Sequence, residues 1–146
     1  MFFDSHCHLD RIDLDGHNHS FPQLLETIRA DQVTRMMCIS VDLESFENMV
    51  ALIGLYDDIY CSAGVHPCYE KVQEPTAETL CWMATHAKVV AIGETGLDYR
   101  EAGDDMDWQR ARFIIHIEAA RHCKLPLIIH SRNAKQDTLD LLRDHG

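Results

Sequence analysis

The sequence predicts an α/β protein built on a parallel sheet, and three observations support this class. Short apolar runs typical of strands alternate with longer stretches whose apolar residues recur at helical spacing. One run, "VVAIG" at 89–93, is continuously apolar, as expected for a strand buried on both faces of a parallel sheet. The length of 146 residues, with 46% hydrophobic and 25% charged side chains, suits one globular domain over residues 1–146.

Five apolar runs are expected to form the strands, and each is followed by a stretch with a helical pattern. "KVVAIGE" is one of the clearest, because it combines the continuous apolar run with a carboxylate directly behind it. The predicted strands are "MFFDSHCH" (1–8), "RMMCISV" (35–41), "IYCSAGVH" (59–66), "KVVAIGE" (88–94) and "LPLIIHS" (125–131).

Capping residues mark the beginnings of several predicted helices. Ser20 and Gln23 form a capping box, and Pro22 lies in the first turn, where its missing N–H costs little. Asp42 is the expected cap of the second helix and Thr76 that of the third. The predicted helices are 20–33, 42–54, 76–83, 105–122 and 134–143.

This alternation leaves two architectures open, a small doubly wound sheet or part of a (β/α)8 barrel. No glycine-rich G-x-G-x-x-G or Walker-type loop follows a strand, so a nucleotide cofactor is not expected. In a barrel the active site is built where several strands finish. Four predicted strands finish on residues that can bind a metal or act in catalysis, namely His6 and His8, His66, Glu94, and His130. We therefore predict the TIM type of (β/α)8 barrel, with five β/α units present.

Charge and composition exclude some functions. The formal net charge of −11 argues against a passive nucleic-acid-binding module, since such modules are usually basic. If the protein acts on phosphate esters, bound cations or a local basic patch must offset that charge. No run can span a membrane and no secretory signal is visible, so a cytoplasmic location is expected. The six cysteines form no C-x-x-C pair and are expected to be small, buried, reduced thiols.

The first strand brings two histidines to one place. His6 and His8 are two residues apart, and residues at that spacing on a strand point to the same face, so both imidazoles can reach one ion. The chain contains ten histidines and a second H-x-H at His17 and His19, so the tripeptide alone decides nothing. The second copy has no strand before it and is predicted to be a solvated loop.

Glu94, Asp98 and His130 follow buried-strand patterns and have competing interpretations. A carboxylate at the edge of a buried strand needs a partner, so Glu94 is either salt-bridged or a metal ligand. A histidine after "LPLII" is either a hydrogen-bonded structural residue or a ligand, and the other strand ends favour a ligand at His130. Asp98 has three open roles: a hydrogen bond to a ligand histidine, support of a loop turn, or substrate contact.

The remaining polar candidates are weaker. His66 precedes Pro67 and is expected to contact substrate or a bound water rather than the metal. Arg132 is either a surface ion-pair partner or a substrate phosphate ligand, since a guanidinium matches phosphate geometry. Four further histidines lie on predicted helices or at their ends and are expected to be surface or helix-end residues: His86, His116, His122 and His145.

Taken in order, four motifs resemble the TatD family of metal-dependent deoxyribonucleases, within the wider amidohydrolase-like barrels. They are "DSHCHLD", "GVHP", "IGETGLDY" and "LPLIIHSRNA", and "DWQRARFIIHIEAARHCKLP" resembles the family's helix before the fifth strand. The resemblance covers essentially the whole chain. It implies a (β/α)8 barrel with one or two divalent cations at the strand ends.

The resemblance also implies residue roles. His6 and His8 would be metal ligands, Glu94 a ligand that can bridge two ions, and His130 a ligand of the second ion. The implied activity is hydrolysis of DNA phosphodiester bonds from the 3′ end, with Glu94 in the catalytic centre. His66 and Asp98 join Glu94 as catalytic candidates, and together with the substrate-binding candidate Arg132 they would position the nucleic acid. Mixed histidine and carboxylate ligation suits Zn²⁺ or Mn²⁺, and hydrated Mg²⁺ also fits.

One departure from the family pattern lies at the C-terminus. The family continues with a histidine near the end of strand six and an aspartate near the end of strand eight, and neither has a counterpart here. We therefore expect this sequence to be the N-terminal part of a longer barrel, with little nuclease activity by itself. Two alternatives to a nuclease stay open: a hydrolase of small esters, amides or lactones, and a non-catalytic fragment.

Overall fold

The structure is a computed structural model that describes residues 1–100 and 106–146. Within these ranges five strands alternate with five α-helices. The strands are β1 (Phe2–Cys7), β2 (Val33–Cys38), β3 (Ile59–Ala63), β4 (Val89–Asp98) and β5 (Leu127–Arg132). The helices are α1 (Phe21–Ala30), α2 (Phe46–Ile53), α3 (Ala77–Met83), α4 (Asp107–Cys123) and α5 (Lys135–His145). Two short 3-10 turns, Leu9–Arg11 and Asp15–His17, lie between β1 and α1.

The five strands form one parallel sheet in the order β1-β2-β3-β4-β5. A doubly wound sheet reverses its strand order at a switch point, whereas a barrel adds each strand beside the previous one. The observed order therefore confirms a partial (β/α) barrel. Because all strands run the same way, their carboxyl ends meet at one edge, and this edge positions the candidate site.

The hydrophobic core lies between the sheet and the helices. The middle strands contribute fully buried side chains such as Cys61, Ala63 and Ile92, and α1 adds Leu25 and α2 Ile53. The edge strand β1 differs, since its side chains from Phe2 to His6 are exposed. All six cysteines are free; Cys38 and Cys61 are buried as predicted, whereas the other four are half-buried. Among the described residues, no helix has the length and apolarity needed to cross a membrane.

Local signals placed most helix boundaries within a few residues. The Ser20 hydroxyl accepts from the Gln23 amide at 3.4 Å, and the Thr76 hydroxyl accepts from the Thr79 amide at 3.1 Å, so both are N-caps as predicted. The reciprocal half of the predicted capping box does not form, because Gln23 Oε1 accepts from Asn18 Nδ2 and the Ser20 amide donates to the His17 carbonyl. The Asp42 prediction is wrong. Its carboxylate accepts from the Ser45 amide at 2.7 Å, which supports the turn before α2, and the helix begins only at Phe46.

The fourth strand and fourth helix also differ from expectation. The strand continues past Glu94 to Asp98, with a register shift against β5 between Ile92 and Thr95. Glu94 therefore lies inside an irregular strand rather than at its end. The fourth helix begins at Asp107. Residue 105, the expected start of that helix, lies outside the described residues.

Candidate metal centre

Three strands bring their polar residues together at the carboxyl edge of the sheet. The side chains of His6, His8 and Glu94 each offer one ligand atom, and these atoms lie within 4.8 Å of one another. His6 Nε2 is 3.2 Å from Glu94 Oε2, and His130 Nδ1 is 3.3 Å from Glu94 Oε1. The structure thus brings together the four residues that the sequence singled out as metal ligands.

Glu94 is the residue around which the histidines gather. Only 7% of it is exposed, and in addition to His6 and His130 it faces His66 Nε2, which is 3.7 Å from Oε1. The preceding Gly93 has φ +135°, and a Cβ there would lie 2.5 Å from the Ile128 carbonyl oxygen. Glycine at this position therefore permits β5 to approach closely while the strand turns Glu94 into the site.

The ring of His8 is oriented by the main chain. Its Nδ1 lies 3.0 Å from the carbonyl oxygen of Ile39, which can only accept a hydrogen bond. Nδ1 therefore bears the proton, and Nε2 keeps a free lone pair. A hydrogen bond from one ring nitrogen to a carbonyl is the usual way in which a protein prepares the other nitrogen to bind a metal.

His66 has the opposite proton arrangement. Its Nδ1 accepts from the Cys68 amide at 3.1 Å, so in the neutral ring the proton lies on Nε2, facing Glu94. Burial lowers the pKa of His66 below its usual range, and the Glu94 carboxylate only partly opposes this shift. His66 is therefore set up to donate a proton to the site rather than to bind a cation through Nε2.

Asp98 supports His130 from the far side. His130 Nε2 is 2.9 Å from Asp98 Oδ2, and Cys68 Sγ donates to the same oxygen at 3.1 Å. Burial of Asp98, which is 2% exposed, acts to raise its pKa, but the hydrogen bonds from Cys68 and His130 outweigh burial and the pKa is lowered. Its other oxygen, Oδ1, is buried without a hydrogen bond among the described residues, and Arg100 Nε is 3.4 Å away.

A polar stripe on α4, formed by Gln109, Arg112 and His116, braces the loop that carries His66. The Gln109 side chain accepts from the Asp98 amide at 2.8 Å and donates to the Pro67 carbonyl at 3.1 Å. Arg112 Nη1 donates to the His66 carbonyl at 2.9 Å. The three residues recur at helical spacing and are all buried. In the sequence, polar residues at this spacing on a core-facing helix are the pattern that could have predicted this supporting role.

His116 corrects a sequence-based expectation. It was predicted to be a surface histidine, but it is fully buried, with Nε2 accepting from the Val65 amide at 3.0 Å and Nδ1 donating to the Arg112 carbonyl at 2.8 Å. Burial lowers its pKa from 6.5 to about 4, so the ring is neutral. Local periodicity could not reveal this role, because the partner amide is 51 residues away in sequence.

Two other candidates lie outside the cluster. Arg132 ends β5, where it pairs in register with Asp98, and its side chain is exposed without a hydrogen bond or ion pair to any described residue. The second H-x-H was predicted to be a solvated loop, but His17 is half-buried and ends the 3-10 turn Asp15–His17. His19 there is exposed and pairs with Asp15 at 3.3 Å.

Residues 3–146 match the family model described as "TatD related DNase". The chain belongs to this family. The uncharacterized metal-dependent hydrolase YabD of Bacillus subtilis is 34% identical over 149 residues, covering 100% of this chain and 56% of the relative. The uncharacterized metal-dependent hydrolase YcfH of Escherichia coli K12 is 36% identical over 142 residues, covering 97% of this chain and 53% of the relative.

Solved structures of TatD proteins resemble this chain in fold. The crystal structure of YJJV, a TatD homolog from Escherichia coli K12, matches with a TM-score of 0.85 and 28% identity over 99% of this chain and 56% of that one. The TatD chain described here therefore spans a little over half the length of the relatives it matches. Its five units correspond to part of a TatD barrel.

Proposed function

We propose that this chain provides the catalytic half of a metal-dependent hydrolase that cleaves DNA phosphodiester bonds from the 3′ end. One or two divalent cations would be held by His6, His8, Glu94 and His130. The observation that supports this most strongly is the convergence of three imidazoles on the buried Glu94 carboxylate, 3.2 to 3.7 Å away. The names of the family and of its relatives, a DNase and metal-dependent hydrolases, agree with it.

The donor set fits a divalent cation. His8 presents an unprotonated Nε2 because its Nδ1 is bound to a carbonyl, and Glu94 supplies a carboxylate with an oxygen on each side of the cluster. Imidazole and carboxylate together suit Zn²⁺ and Mn²⁺. The Asp98 carboxylate, whose buried Oδ1 lacks a hydrogen bond among the described residues and faces Arg100 Nε at 3.4 Å, adds negative charge beside this set. A divalent cation, when bound, polarises a phosphoryl oxygen and makes a water molecule more acidic.

The protein's own residues would orient the reacting groups. Glu94 and His6 lie together on the β1 side of the site. On the β5 side, the Asp98 carboxylate orients the His130 ring by accepting a hydrogen bond from Nε2. The His66 Nε2 proton faces the same space and can donate to a phosphate oxygen or hold a water. Arg132, whose guanidinium at the end of β5 pairs with none of the described residues, is suited to a phosphate of the substrate. Bound cations would also let a protein of charge −11 approach DNA.

The direct test is release of nucleotides from single- and double-stranded DNA in Mn²⁺, Mg²⁺ or Zn²⁺. The assay uses the 146-residue chain and a longer form that covers the full length of its relatives. We expect the longer form to cleave DNA, and we expect EDTA or Glu94→Gln to abolish cleavage. Labels at the 3′ and 5′ ends distinguish the direction of attack.

Two results would contradict the proposal. Cleavage that survives both EDTA and Glu94→Gln would exclude a metal centre at this site. Metal-dependent turnover of small esters, amides or lactones without any DNA cleavage would support a metal-dependent hydrolase but contradict DNA as its substrate. The small-substrate assay is therefore run on the same preparations.

A further inference from the structure

A second group of possible ligands lies beside Glu94, towards β3 and β5. His66, Cys68 and His130 each offer one ligand atom, and these atoms lie within 4.8 Å of one another. Cys68 is half-buried in this group and has no part in the proposed function. It follows His66 by two residues, and its amide holds the His66 ring. The turn that orients His66 therefore also directs the thiol into the site.

The thiol, an imidazole and a carboxylate meet at one point. Cys68 Sγ lies 3.1 Å and His130 Nε2 lies 2.9 Å from the same atom, Asp98 Oδ2. Neighbouring ligands of tetrahedral zinc are about 3.3–3.6 Å apart, given Zn–S near 2.3 Å and Zn–N or Zn–O near 2.0–2.2 Å. Cys68 Sγ and His130 Nε2 would each need to lie only about 0.5 Å farther from Asp98 Oδ2 for the three atoms to coordinate one cation.

Arg100 now occupies the open side of this group. Its Nη2 donates to Cys68 Sγ at 2.8 Å, and its Nε is 3.4 Å from Asp98 Oδ1. The side chain is 60% exposed, so it can turn into solvent. A divalent cation would replace the positive charge that Arg100 supplies to the thiol and the carboxylate, without leaving either uncompensated.

We propose that Cys68 is a sulfur ligand of a divalent cation bound together with His130 and Asp98. In the cation-bound form the Cys68 thiol loses its proton, and the His130 proton moves from Nε2, beside Asp98, to Nδ1, which faces Glu94 Oε1 at 3.3 Å. Nε2 is then free for the cation, and His130 joins the two halves of the centre. Thiolate is a soft ligand that favours Zn²⁺ and Co²⁺ over Mg²⁺ and Mn²⁺. Cys68 therefore makes the centre selective for zinc. The inference rests on the proposed metal centre, because His130 belongs to both.

The test is a Co²⁺ titration of the full 146-residue chain followed by absorption spectroscopy. Bound Co²⁺ gives visible ligand-field bands with any ligand set, whereas sulfur ligation adds a near-ultraviolet charge-transfer band. We expect the wild type to show both the visible bands and the near-ultraviolet band. Cys68→Ser and Cys68→Ala should lose only the near-ultraviolet band, and the matched control Cys123→Ser should give the wild-type spectrum. Competition with Zn²⁺ should show affinity falling about tenfold or more in the Cys68 variants.

The outcomes separate the two claims. Visible bands without the near-ultraviolet band in the wild type, or a near-ultraviolet band that survives Cys68→Ser, would overturn the sulfur ligand and leave the metal-dependent hydrolase standing. The absence of all Co²⁺ bands would overturn both. Circular dichroism of each variant checks that the fold is retained.

Discussion

The two sides of the candidate metal centre are held in different ways. On the β1 side, His6 and His8 belong to an edge strand whose side chains are largely exposed. The contact that orients His8 is a single hydrogen bond to the Ile39 carbonyl, and His6 faces Glu94 directly. This side has little buried structure behind it.

On the other side, α4 provides a buried support. Its polar stripe holds the backbone of residues 65–67 through Val65, His66 and Pro67, and it also holds the Asp98 amide. The comparison indicates that the β3–β5 half of the centre is preorganised by the protein. The β1 half is expected to gain much of its order when a cation binds.

Glu94 connects the two sides, so its replacement should have the largest effect. Glu94→Gln keeps the shape and removes the charge that joins His6 to His130. We expect metal affinity and hydrolysis to fall by roughly a thousandfold or more, since the ion's contribution is several kcal/mol. Isothermal titration with Zn²⁺ and the DNA cleavage assay measure this. The exposed α4 variant Glu118→Gln is the matched control and should behave as wild type.

Removing the buried support should reduce stability. Arg112→Leu deletes the bonds to Glu74 and to the His66 carbonyl, and we expect a loss of about 3 kcal/mol in the free energy of unfolding. Arg110, also on α4, pairs with Asp137 near the surface, and Arg110→Leu should cost less than about 1 kcal/mol. Urea denaturation compares the two. Equal losses of unfolding free energy in Arg112→Leu and Arg110→Leu would contradict the stabilising role of the buried Arg112.

His116 should make stability depend on pH. Its folded pKa of about 4 lies below the ordinary 6.5, so the unfolded chain takes up a proton first as pH falls. The stabilisation is complete above pH 6.5 and is lost as pH falls towards 4. Between pH 7 and pH 5 the loss amounts to about 2 kcal/mol. We expect His116→Gln to lack this component, while the exposed control His122→Gln keeps it. Urea titrations at both pH values decide the matter.

The smallest effect is expected at the second H-x-H. His17 ends the 3-10 turn Asp15–His17, outside the strands, and among the described residues the His19 side chain pairs with exposed Asp15. The double variant His17→Ala/His19→Ala should bind Zn²⁺ as the wild type does, whereas His6→Ala should bind it more weakly. A similar loss of Zn²⁺ affinity in the double variant and in His6→Ala would show that position at a strand end does not distinguish the first H-x-H from the second.

The sequence could predict what depends on local pattern. Apolar runs, helical spacing and caps such as Ser20 and Thr76 located the elements, and the order of polar residues behind the strands located the cluster. Other features depend on distant pairs and could not be predicted in this way. The burial of His116 depends on a partner 51 residues away, and the thiol of Cys68 meets Asp98 across 30 residues. Gly93 marks the bend at which Glu94 leaves the regular strand, which the continuous apolar run concealed.

The most direct test of the account is anomalous diffraction from crystals grown with Zn²⁺. We predict a peak at the carboxyl edge of the sheet, bonded to His6, His8 and Glu94 with Zn–N distances of about 2.0–2.1 Å. The β1 side should be better ordered than in metal-free crystals, and the α4 stripe unchanged. An absence of zinc from this edge, or a peak only at His17 and His19, would contradict the central claim that the strand ends form a metal centre.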